Sequence, residues 1–125
     1  PYLQYAATRI RSIFRKAELD EATFLKACQQ SEEGILLQAD QEKLLVRHLA
    51  NFGLTLEAVM ADHRPNYLCN YLYELAGYYT AFYEHCPVLK SEGSTRTSRL
   101  LICLLTGQIL ERGLSLLGIE VPDMM

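Results

Sequence analysis

No pair of cysteines in this sequence is spaced C-x-x-C: the four stand at 28, 69, 86 and 103, and the nearest neighbours are separated by 16 residues. That spacing excludes the usual zinc frameworks. All but Cys28 fall inside apolar helical patterns, which points to buried free thiols in a reducing compartment. A basic excess is missing as well. Twelve Lys and Arg against 15 Asp and Glu leave a formal net charge of −3. This excludes a domain that holds nucleic acid chiefly by general attraction to phosphate, but not one with a local basic patch. Long apolar runs are also absent. The longest, Leu100 to Leu105, has six residues, and its continuation meets Gln108, Glu111 and Arg112, so no membrane-spanning helix is expected; it is the free thiols that lead to reading the chain as cytoplasmic. There is no initiator Met and no secretory signal, since Pro1 leads straight into an amphipathic pattern; the expectation is a piece cut from a longer chain.

What is present is an ordinary globular composition. A chain of 125 residues, half apolar and 22% charged, is expected to form one domain, residues 1–125, around one core. No segment of any length alternates with period two, so every long element is read as helical. The first helix runs from Tyr2 to Glu18, with Leu3, Ala6, Ile10, Phe14 and Ala17 at alternating steps of three and four. A weaker helix from Asp20 to Gln29 starts on Asp20 as N-cap and leads into a variable loop around Gly34. A third follows Asp40 and stops at Asn51 to Gly53, and a short fourth starts at Thr55. The fifth follows Pro65, with Leu68, Leu72, Leu75, Tyr79, Phe82 and Cys86 on one face, and closes at Pro87. The sixth spans roughly Thr95 to Leu117, ends at Gly118, and is apolar on most of its circumference. It should therefore lie at the centre of an all-α bundle of about five to six helices. The tail IEVPDMM is too short for another element.

Catalytic constellations are not evident. The acid pairs Asp20/Glu21 and Glu32/Glu33 sit at a helix start and in a loop, where solvated charge is the default. No phosphate-binding glycine loop precedes LDEATF, and GLSLLG lacks the lysine that such a loop requires. His48, His63 and His85 lie on separate segments without further metal ligands. No nucleophile elbow is present, so neither an enzyme nor a metal centre is expected in this stretch.

The tyrosines are more informative because they are segregated: Tyr2 and Tyr5 on the first helix, the other six between Tyr67 and Tyr83 on the fifth. At 100° per residue, Tyr2, Tyr5, Arg9 and Lys16 fall within about 60° of one another, beside the core stripe. Arg11 and Arg15 make a second basic edge. Rings beside guanidinium groups can hold an unstacked nucleotide. Tyrosines at helical spacing are more often packing residues, and exposed arginines are usually just solvated. On the pattern alone, packing is the stronger reading.

Three stretches shift that balance: PYLQYAATRIRSIFRKA at the start, NYLYELAGYYTAFYEHCPVL in the middle and SRLLICLLTGQILERGLSLLGIEVPDMM at the end. Together and in this order they resemble the C-terminal anticodon-binding domain, of the DALR type, of arginyl-tRNA synthetase; residues 19 to 43 match poorly. The resemblance implies a helical bundle fused behind a class I catalytic domain that uses ATP and Mg, with no cofactor in the bundle itself. It implies the anticodon loop of tRNA(Arg) as partner, with no DNA and no membrane, and a central anticodon cytosine that is splayed out and read. Carried to matching positions, it implies Tyr5 as a stacking ring and Arg9 as a base or phosphate contact. Tyr2 is a further ring, Arg15 a contact to the anticodon backbone, Tyr83 an aromatic at the loop, and Met125 closes the pocket. This chain departs from the pattern at Met124, where a basic residue is frequent, and at Ala7, where histidine is frequent. Two alternatives remain: a helical protein-interaction module with a tyrosine-rich surface, and the anticodon domain of a related synthetase with another cognate tRNA.

Overall fold

Helix ends in this chain are set by a few residues that satisfy the terminal backbone groups. The computed structural model describes residues 1–123, and among them are six helices and no strand: α1 Tyr2–Lys16, α2 Glu21–Gln30, α3 Asp40–Ala50, α4 Phe52–Asp62, α5 Asn66–His85 and α6 Gly93–Leu116. Asp20 caps α2, accepting from the Thr23 backbone N–H at 3.0 Å and from its hydroxyl at 2.8 Å. These bonds hold the Asp20 carboxyl below its usual range. After α1, α4 and α6 the chain reverses through left-handed residues, Glu18, His63 and Gly118. Gly118 (φ 80°) follows α6, with Ile119 N–H bonded to the Leu114 carbonyl at 2.8 Å and Gly118 N–H to Ser115 at 3.0 Å. That is the paired closure that leaves few helical carbonyls unsatisfied.

Three boundaries differ from expectation, each for a local reason. The first helix stops at Lys16 because Glu18 turns left-handed (φ 57°) and Leu19 N–H reaches back to the Phe14 carbonyl. The fourth begins at Phe52, not Thr55. Asn51 alone makes the break, at φ −87°, ψ 1°, and its carbonyl accepts from Thr55 N–H at 3.1 Å, which places Gly53 inside the new helix. The sixth begins at Gly93, whose φ of 61° lets the chain turn into the helix two residues earlier than Thr95.

The break at Asn51 also bears on the membrane question. The stretch Asp40–Asp62 is long and apolar enough, by length and composition, to cross a bilayer, and little of it is buried. The lengths of its unbroken apolar runs do not reveal this. It consists of two helices of 11 residues each, individually about 16 Å long against a hydrocarbon core of about 30 Å.

At the centre lies α6, which packs against α1, α5, α3 and α2. It buries Leu100, Ile102, Cys103, Leu104, Leu110 and Leu114. All six residues of the stripe expected on α5 are buried, Cys86 as the capping residue just after the helix; on α1 the buried face is Leu3, Ala7, Ile10, Ile13 and Phe14, with Ala6 and Ala17 only half-buried. Burial pushes the Cys103 thiol up to about 12, so it stays protonated and unreactive at neutral pH.

Helices α5 and α6 meet closely at Gly113, where an added Cβ would stand 2.6 Å from Leu72 Cδ2, with Leu72 itself fully buried. Gly113→Ala is therefore expected to cost about 1 to 3 kcal/mol through overpacking. Gly77→Ala, on the exposed face of α5 where a Cβ meets nothing, should instead raise stability by up to about 1 kcal/mol through helix propensity. Urea denaturation of the two variants checks this; equal effects would mean that the helices do not approach as described.

The tail lies against the bundle. Gln4 Nε2 donates to the Glu120 carbonyl at 2.6 Å, Arg11 donates to the Pro122 carbonyl at 2.8 Å, and Val121 packs on the core. Arg11 also binds Glu111, at 2.7 and 2.8 Å, and approaches Asp123 at 3.5 Å.

Candidate nucleic-acid interface

A cleft of about 280 Å³ opens where α1 lies beside α5. The α1 wall is Tyr2, Tyr5, Ala6, Arg9, Ser12, Ile13 and Lys16; the α5 wall is Tyr79, Thr80, Tyr83 and Glu84. On α1 these positions follow steps of three and four, a second stripe rotated from the one that enters the core. The volume lies at or just below the lower end of pockets for drug-sized ligands, a size suited to a single base rather than a large cofactor.

The aromatic groups differ in how free they are. Tyr2, Tyr5 and Tyr83 are 49%, 50% and 40% exposed, whereas Tyr79 is buried and forms the floor. Tyr5 has no aromatic partner among the described residues. Tyr2 is stacked on Tyr73, ring centroids 5.9 Å apart and planes at 8°. Arg9 Cζ stands 5.9 Å from the Tyr83 centroid, within range of a cation–π contact that orients both groups. Beneath them, the Tyr79 hydroxyl lies 3.7 Å from Cys103 Sγ, and burial pushes its ionisation well above the usual phenol range. The floor is therefore uncharged. The cleft's charge comes from Arg9, Lys16 and Glu84, and none of the three has an ion-pair partner among the described residues.

Tyr2, Tyr5, Arg9 and Tyr83 are thus brought together. Arg15 is exposed but does not line the cleft: six positions beyond Arg9 is about 240° of rotation on a helix. Lys16 occupies the basic place at that end instead. Met125 lies outside the described residues. The expected second basic edge is reduced, because Arg11 is taken up by Glu111, Asp123 and the Pro122 carbonyl. Ser12, Thr80, Glu84 and the stacking partner Tyr73 are additions that the sequence reading missed. Ser12 could have been found by continuing the 2, 5, 9 spacing on α1. The α5 residues could not, since their placement depends on how α5 is rolled against α1.

A second groove, between α4 and α5, is lined by Asn51, Thr55, Tyr67, Asn70 and Glu74 and carries no Lys or Arg. His48 is held there by stacking on Tyr71 at 4.1 Å and by an Nε2 contact of 3.1 Å with the Tyr71 carbonyl. No group of three or more His, Cys, Asp or Glu among the described residues could hold a metal ion.

A helical bundle that presents exposed tyrosines and an unpaired guanidinium in a base-sized cleft is built as a binding module. The chain belongs to the DALR anticodon binding domain family, whose model matches residues 3–125. Among curated relatives, the arginine–tRNA ligase of Pasteurella multocida is 45% identical over 126 residues, covering all of this chain and 21% of that protein. That of Pseudoalteromonas translucida is 47% identical over 127 residues, with the same coverage. The solved Thermus thermophilus arginyl-tRNA synthetase is similar with a TM-score of 0.81 at 30% identity, over all of this chain and 21% of that one. The Plasmodium falciparum enzyme gives 0.83 at 28% identity, over 99% of this chain and 21% of that one. The chain spans about a fifth of the length of these relatives.

Proposed function

We propose that residues 1–125 form one anticodon-binding domain of a cytoplasmic arginyl-tRNA synthetase, and that the α1–α5 cleft takes the central anticodon cytosine of tRNA(Arg). The observation that carries this reading is the convergence of Tyr2, Tyr5, Arg9 and Tyr83 on one cleft from two helices. The base stacks on tyrosine, Arg9 meets its edge or phosphate, and Lys16 and Arg15 face the flanking backbone. On this reading ATP and Mg serve the catalytic part of the parent enzyme, which joins arginine to the tRNA. This bundle contributes only recognition.

A stacked base is worth about 1 to 3 kcal/mol. With Arg11 engaged by the tail, three cations at most remain for phosphate. The dependence of log K on log salt for a single-stranded loop should then be shallow, with a slope of about −2 or less in magnitude. Titrating the chain with arginine anticodon stem-loops, against loops with the middle base changed, tests the reading. Tighter binding of the cytosine loop is expected. Equal affinity for all four middle bases would overturn it and would favour a protein-interaction surface or another cognate RNA.

A further inference from the structure

Stacking on tyrosine cannot separate cytosine from uracil, because the two rings have the same size and nearly the same faces. They differ along one edge. Cytosine offers the N4 amino donor beside two acceptors, N3 and O2; uracil offers the O4 acceptor beside the N3–H donor. A cleft that tells them apart needs an acceptor that cannot donate next to a donor that cannot accept.

We infer that Glu84 is the group that separates cytosine from uracil in this cleft, its carboxylate accepting from N4 while the Arg9 guanidinium donates to N3 and O2. This rests on the proposed reading of the α1–α5 cleft as the site of the central base. Glu84 is the one acidic side chain lining the cleft among the described residues. An ionised carboxylate is acceptor-only, a guanidinium donor-only, and carboxylate to the cytosine amino group is an established pairing in base readout. Ser12 and Thr80 also line the cleft, but a hydroxyl both donates and accepts and so tolerates either pyrimidine. Uracil reverses both contacts: O4 would face the carboxylate and N3–H the guanidinium. Guanine reverses them too. Adenine matches the N4 donor with N6 and the N3 acceptor with N1, but it has C–H where cytosine has O2 and so forfeits one of the two guanidinium contacts.

No structural task accounts for Glu84. It forms no ion pair or side-chain hydrogen bond among the described residues. The positions three and four away, Ala81, Thr80, Pro87 and Val88, carry no partner charge. It also sits in the last turn of α5, which ends at His85, where a negative charge opposes the helix dipole. The carboxylate is therefore free to meet a base.

The test is Glu84→Gln in the 125-residue chain, titrated with anticodon stem-loops carrying C or U at the middle position. A carboxamide can turn either its carbonyl or its amino group toward the base, so the C-over-U preference should fall about tenfold while the fold, read by far-ultraviolet circular dichroism, is unchanged. Retention of the full preference in the variant overturns the inference. So does an equal rise in affinity for both loops, which would mark Glu84 as a charge that merely opposes phosphate. A wild-type chain that rejects purines but accepts C and U alike overturns it as well. A wild-type chain indifferent to all four bases overturns the underlying reading of the cleft, so the two failures are distinguishable.

Discussion

Glu42→Ala is expected to destabilise the fold by about 2 to 4 kcal/mol, toward the lower side of the usual loss when one member of a buried ion pair is removed. The Glu42 side chain is 1% exposed, and its Oε2 stands 3.7 Å from Arg99 Nε. Its Oε1 accepts from Ala39 N–H at 2.8 Å and from Gln38 N–H at 3.3 Å, backbone groups at the start of α3. Ala39, the N-cap, has no side-chain oxygen of its own, so Glu42 alone terminates this end of the helix. Arg99 in turn donates to the Pro87 carbonyl at 2.8 Å. Truncation therefore strands two N–H groups and a cation that is itself only 13% exposed; partial access to water keeps the cost below that of full burial. Glu42→Gln, which keeps an acceptor for the Ala39 N–H but drops the charge, should lose about half as much. Thermal denaturation checks both, with a fall in Tm on the order of 10 °C for the alanine variant. A shift of a degree or two would show that Arg99 and the α3 terminus are satisfied by other means.

Tyr83→Ala should weaken binding of the arginine anticodon stem-loop by about tenfold to a hundredfold, as expected for the loss of one stacking ring. Tyr83→Phe should change it little, because the ring and not the hydroxyl provides the surface. Arg9→Ala should cost about tenfold. The two effects should combine to less than their product, because Arg9 lies over the Tyr83 ring and each orients the other. The double-mutant cycle measures that coupling. Placed in an intact parent synthetase, either alanine variant should slow tRNA charging while leaving amino-acid activation largely unaltered. Unaltered tRNA kinetics in both would remove the cleft from the mechanism.

The parts of this molecule that could be read before the structure are those written in helical period. Leu68, Leu72, Leu75, Tyr79, Phe82 and Cys86 are spaced for one face of α5, and all six are buried. The apolar girth of α6 matches its central place. Tyr2, Tyr5 and Arg9 share a face of α1, and Tyr83 joins them across the cleft. What spacing along one helix leaves open is the identity of the neighbour. Arg11 resembles any exposed basic residue until the tail is found lying across it, and nothing local to residue 11 encodes Pro122. Tyr73 is an exposed ring on α5 that gains meaning only from Tyr2 stacked upon it. Glu84 follows Tyr83 by 100° of rotation, so its entry into the cleft depends on the roll of α5 against α1. The stop read at Asn51 to Gly53 falls on Asn51, while Gly53 lies inside α4, because the backbone of Asn51 alone makes the break.

The bond from Gln4 to Glu120 and those from Arg11 to Pro122 and Glu111 join the first fifteen residues to the last fifteen, and α1 makes its main packing surface with α6. During synthesis on the ribosome, the apolar side of α1 emerges ahead of the rest of the bundle and has no lasting cover until α6 has followed it out of the exit tunnel. The packing that fixes α1 beside its neighbours is therefore completed only at that late stage. A message truncated before α6 would yield a chain whose first helix lacks its main packing partner, however intact the intervening segments.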